Sequence, residues 1–268
     1  MKKIIALMLC AVVLLSLCAC GKSKEAQNVD DLILAIGEVS IDSAEKIAVA
    51  EEAYNALSDK DKSKVENFSV LNDAIISLRR AQFDKEYVDL VSRLEDLNDK
   101  SQQIFSTTYL IWENSGTDEL ESRLVCVQAF QTEENVAFLK ENLGRSFLGL
   151  VVGARSALTG EKLSLDISDS QKKKVIEKCM EYNTLCNSAK DASKALEEDL
   201  KSFGTNYESD FSEEVDNLNS WCIESSLYTE FSMTPSGTMS NYANQNSTYH
   251  DNLNRFQKIA ESYINDVA

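Results

Sequence analysis

Chain-breaking residues are almost missing from this sequence. Of 268 residues, nine are glycine and one is proline. A β-rich chain needs turn residues every few positions, whereas long helices need them only at their ends, so the scarcity favours helices and argues against a sandwich or barrel. Apolar residues recur at helical spacing through most of the chain. No alternating strand pattern of useful length and no repeat of fixed period accompanies them. The expectation is an all-α protein: a small helical module followed by an up-and-down bundle of long antiparallel helices.

Charge narrows the partners. Lys and Arg number 27 against 44 Asp and Glu, a net charge of −17. Such a chain repels phosphate backbones, which excludes nucleic acid as an expected partner, and it disfavours adhesion to anionic headgroups or wall polymers.

The first 20 residues differ from the rest. Lys2 and Lys3 precede an uncharged apolar run at 4–17, and the run ends in Leu17-Cys18-Ala19-Cys20. Fourteen residues are too few to span a bilayer comfortably, which takes about 20, but suit an export signal. The only other apolar run singled out, FLGLVV at 147–152, reads as a buried helix face. Cys18 and Cys20 lack the spacing of a zinc knuckle. The stretch resembles the lipobox of bacterial lipoprotein precursors, with Leu17 at −3, Ala19 at −1 and Cys20 at +1; Cys18 at −2 is a tolerated departure. The resemblance implies cleavage after Ala19, a diacylglyceryl thioether on Cys20, and a mature chain held on the outer face of the cell membrane. Two acyl chains anchor stably where one binds marginally. Residues 1–19 are therefore expected to be a signal peptide and 20–28 a lipidated polar linker reaching at most about 28 Å.

Residues 29–82 read as a small helical module. Val29, Leu32, Ile33 and Ile36 share a face before Gly37, Ser43 is placed to cap a second helix, and Ile47, Ala50, Ala53, Tyr54 and Leu57 form its inner stripe. Ser58 and Asn67 bracket a short turn, and Val70, Leu71, Ala74, Ile75 and Leu78 begin a third helix. The pattern V..LI..IG.V, then I..A..AY..L....K..V.N...L..A, resembles a module recurrent in surface and secreted proteins of Gram-positive bacteria. It implies a spacer or interaction module without catalysis. Asp59-Lys60-Asp61-Lys62-Ser63 starts like a calcium loop, but Lys64 and Val70 stand where the loop requires Gly and Glu.

Residues 83–268 read as the bundle. No breaker separates the third helix of the module from the spacing that continues through Tyr87, Val91, Leu94, Leu97, Ser101, Ile104, Phe105, Thr108, Ile111 and Trp112, so the pattern allows one continuous helix over about 69–114 without requiring it. Further helices are expected at 118–130, 132–159, 168–203 (stopped by Gly204), 208–231 and, after Pro235, 238–264.

Chemistry is sparse. His250 is the only histidine, and no GxSxG, HExxH, P-loop or GxGxxG occurs. No catalytic, cofactor-binding or metal-binding residues are expected. Cys179 and Cys186 would lie about 10 Å apart along one helix, beyond disulfide reach. With Cys126 and Cys222 they are left either as buried thiols or as partners of other helices. Trp112, Trp221, Tyr242 and Tyr249 could line a ligand groove at one end of the bundle, although core packing is the plainer role for each. The expected function is a non-catalytic binding or structural role in the cell envelope through contact with another protein. The alternative is a solute- or glycan-binding lipoprotein with a groove between helices.

Overall fold

The computed structural model describes residues 22–113 and 169–267. The expected signal peptide and lipobox, the helices expected at 118–130 and 132–159, the apolar run at 147–152 and Cys126 fall outside those residues. The described residues contain seven α-helices and one 3-10 turn (Ile41–Ser43), and no strand occurs among them. The protein is all-α. Its chain divides into two compact units, one up to Lys85 and one from Glu86.

In the first unit, α1 spans Lys24–Leu34, α2 Ala44–Asn55 and α3 Asp59–Lys62, and α4 begins at Phe68. Residues 24–28, expected to be linker, are helical. Ser23 caps α1 by accepting the Ala26 N–H at 3.1 Å, and Ala26, Val29, Asp30 and Ile33 fall on one buried stripe. The polar look of 20–28 hid a single alanine at the right register. Gly37 sits three residues beyond the end of α1 with φ 70°, a region open to glycine at little steric cost. Ser43 does not cap α2, because its own helical φ and ψ (−79°, −6°) turn its hydroxyl away from the next turn. Instead its oxygen accepts the Ser40 N–H at 3.1 Å. The core joins Ala26, Val29, Ile33, Ile36, Ile47, Ala50, Val65, Leu71 and Ala74.

One polar group is built into that core. Asp30 is 1% exposed. Its carboxylate accepts the N–H of Asn67 at 2.8 Å and of Glu66 at 3.3 Å, and the Lys22 ammonium pairs with it. Burial alone would raise its carboxyl; Lys22 and the two N–H groups outweigh that and hold it below the ordinary carboxylate range. Asn67 precedes the first residue of α4, so Asp30 satisfies donors that the helix start leaves open.

Helix α4 runs unbroken from Phe68 to Glu113, 46 residues or about 69 Å. From Glu86 onward it belongs to the second unit, with α5 (Asp169–Tyr207), α6 (Ser212–Met233) and α7 (Met239–Val267). In this bundle α4 runs antiparallel to α5, and α6 to α7. Glu86 and Thr108 of α4 bond Tyr207 and Tyr182 of α5; Asn246 and Asn252 of α7 bond Tyr228 and Glu224 of α6. The buried positions alternate by three and four on α4 (Tyr87, Leu90, Leu94, Leu97, Ser101, Ile104 and Thr108) and on α6 (Val215, Leu218, Cys222, Ser225, Thr229 and Ser232), and follow steps of three, four or seven on α5 (Cys186, Ala189, Leu196, Leu200, Phe203 and Tyr207). That is the seam of helices packed nearly parallel to a common axis.

Gly204 does not stop α5. The helix continues to Tyr207, whose ring packs 5.0 Å from Phe203 and whose hydroxyl donates to Glu86 at 3.0 Å. Burying that tyrosine outweighs the roughly 1 kcal/mol a glycine costs inside a helix.

Candidate functional site

The bundle seam is mostly apolar but carries a polar stretch. On α4 the sequence places Ser101 and Thr108 at core positions, and on α6 it places Ser225, Thr229 and Ser232 there, all fully or nearly fully buried. A hydroxyl inside a helix bundle must find an acceptor. Ser101 and Thr229 pair at 2.7 Å, and Thr229 also donates back to the Ser225 carbonyl at 2.8 Å. Thr108 lies 2.6 Å from the Tyr182 hydroxyl and reaches the Ser232 carbonyl at 3.2 Å. The same carbonyl accepts Tyr242 at 2.8 Å. Ser225 and the Trp221 indole N–H are buried with no partner.

Aromatic rings surround this polar seam. Phe231 on α6 packs 4.7 Å from Tyr242 and 5.0 Å from Tyr249, both on α7, and Phe105 on α4 lies 4.8 Å from Tyr242. Burial raises the phenols of Tyr228 and Tyr242 far above the ordinary range, and raises Tyr249 less, with help from Glu224 and Glu230. These tyrosines are neutral hydrogen-bonding groups at any physiological pH.

A four-residue network links the seam to the surface. The Tyr228 hydroxyl meets the side-chain oxygen of Gln102 and lies 2.8 Å from that of Asn246. Holding one proton, it donates to one of them at a time. His250 Nε2 is 2.6 Å from the Gln102 oxygen. A carbonyl oxygen only accepts, so His250 carries its proton on Nε2. Gln102 also borders an open groove of about 880 Å³ between α4 and α5, where Ser106, Thr107, Tyr182, Thr184 and Ser188 supply hydroxyls.

The structure describes the side chains of three of the four residues read as a ligand groove. Tyr242 and Tyr249 meet through Phe231, but Tyr242 is fully buried and Trp221 is 1% exposed, so neither lines a groove: apolar area took both rings into the core. Trp112 lies in α4, and its side chain is outside the described residues. The groove between α4 and α5 is lined mostly by polar side chains that pattern as ordinary helix surface. Cys186 and Cys222 are buried free thiols, each pushed up to about 11 by burial first of all; the side chain of Cys179 is not described. Among the described residues no three His, Cys, Asp or Glu side chains are placed to hold a metal, and no helix is long and apolar enough to cross a membrane.

Comparison with family models, with curated proteins and with solved structures gives no match for this chain.

Proposed function

We propose that the protein is a lipid-anchored extracytoplasmic lipoprotein whose helical body binds another protein of the cell envelope without catalysing a reaction. The observation that carries the reading is the tetrad Leu17-Cys18-Ala19-Cys20 behind two lysines and an apolar run. Supporting it, α1 starts at Lys24, so folded structure follows the attachment point almost at once. On α6, Ile223 and Leu227 lie one turn apart and are 63% and 48% exposed. Large apolar side chains left in water on one helix face suit a protein contact. Substitution Cys20→Ala should release the chain from the membrane fraction and abolish acyl labelling; unchanged labelling would end the lipoprotein reading. Ile223→Asp with Leu227→Asp should remove partners captured by crosslinking in membranes while leaving anchorage intact.

The hydroxyl-lined groove favours a second reading, a small polar solute or glycan held between α4 and α5. Thr107→Trp, which fills that groove, would abolish such binding and spare a contact made through α6.

A further inference from the structure

Where the first unit meets its tether, contacts converge. Lys22 is held by Asp30 and lies 3.7 Å from Glu66. Next to it, Ser23 joins Ser58 in hydrogen bonding the Asp61 carboxylate of α3. Asp30 also holds the Asn67 N–H, and the following residue, Phe68, stacks on Tyr54 with centroids 4.4 Å apart. The Lys62 ammonium lies 5.6 Å from the centre of the Tyr54 ring. Around the chain's entry point, then, stand Lys22, Lys24, Lys60, Lys62 and Lys64, and a phenylalanine left 43% exposed.

Charge sets this end apart. Its five lysines are matched by Glu25, Asp30, Asp59, Asp61 and Glu66, so it is close to neutral in a chain carrying −17. It is a part of the surface that an anionic bilayer does not repel. An exposed phenylalanine stacked on a half-buried tyrosine, with a lysine ammonium beside that ring, is a composition that settles at headgroup level.

Reach completes the argument. Cys20 precedes Lys22 by two residues, which span at most about 7 Å, and Lys22 is fixed to the fold through Asp30. A lipid on Cys20 leaves this end no slack.

We propose that the end of the first unit formed by Lys22, Lys24, Lys60, Lys62, Tyr54 and Phe68 rests on the phospholipid headgroups of the membrane that holds Cys20; the proposal depends on the lipid-anchor reading. The unit is a seated base, oriented by its short tether and by the Lys22–Asp30 pair, rather than a body swinging on a stalk. Leu34, at the far end of α1 and 64% exposed, stands about 15 Å along the axis from Lys24 and points the comparison.

The test places a benzophenone amino acid singly at Phe68, Lys60 or Leu34 in the full-length chain. Membranes are fractionated before irradiation, and adducts are identified by mass spectrometry. Lipid adducts at positions 68 and 60, several-fold above position 34, are expected. Protein adducts alone at 68 and 60, equal lipid adducts at all three positions, or an acylated membrane-bound chain with no lipid adduct would overturn the seated base. A chain that is neither acylated nor membrane-bound would overturn the anchor reading beneath it, and the fractionation step shows which has failed.

Discussion

Replacing Asp30 by alanine removes an acceptor that the first unit has no other way to supply. Its carboxylate takes two backbone N–H groups, at 2.8 and 3.3 Å. A hydrogen bond to a charged group contributes about 1.5–3 kcal/mol; the longer of the two counts at the low end or below. Lys22 keeps 21% of its side chain exposed, so its ammonium regains water and adds little. The loss should be about 2–3 kcal/mol, which lowers amide-exchange protection roughly 30- to 150-fold. Because the chain holds two units, global melting would blur the effect. Hydrogen exchange read by mass spectrometry over α1 and the first turns of α4 localises it. Asp30→Asn keeps one acceptor oxygen and should lose about half as much. The folded carboxyl sits below its unfolded value, so its contribution is complete above the unfolded pKa of about 4 and is lost as pH falls through the folded pKa. The gap between wild type and the asparagine variant should therefore be constant from about pH 7 to 5 and close below about 4. A loss under threefold in the alanine variant, or a gap indifferent to pH, would refute the latch.

Three further outcomes follow from the bundle. An added Cβ at Gly204 meets Val215 Cγ1 at 3.5 Å, an ordinary contact, so Gly204→Ala should stabilise the protein by about 0.5–1 kcal/mol and raise the melting temperature by a few degrees; a lower melting temperature would mean the seam is tighter there than the structure has it. Thr108→Val removes the bonds to Tyr182 and the Ser232 carbonyl and should cost about 1–3 kcal/mol in urea denaturation, whereas a neutral result would show the buried hydroxyl to be dispensable. Cys186 and Cys222, pushed up to about 11, should react with a disulfide reagent at pH 8 only after unfolding; fast labelling of either in the native protein, located by peptide mapping, contradicts their burial.

Helical class was legible because few breakers interrupt a periodic apolar pattern, and α4 starts within a residue of the position the pattern allows. Helix ends were read less well wherever a side chain outweighed the punctuation. Tyr207 carries α5 past Gly204, and Ala26 draws the polar stretch before Val29 into α1. Part of the polar seam was legible: Ser101 and Thr108 keep the spacing of the apolar positions on α4, whereas Ser225, Thr229 and Ser232 look like surface residues until the three-four spacing of α6 is laid against their buried neighbours. Asp30 carried a signal of that kind, since an acid between Val29 and Ile33 falls on the same face as both. For Trp221 and Tyr242 the plainer of the two roles the sequence offers, core packing, is the one the structure shows, since large rings are what a core takes first.

The anchor is the central claim, and one spectrum addresses it. The protein, extracted from membranes with detergent and digested, should give an N-terminal peptide that begins at Cys20 and carries the mass of a diacylglyceryl group on its sulfur. An unmodified peptide running through Ala19 into Cys20 would contradict the account.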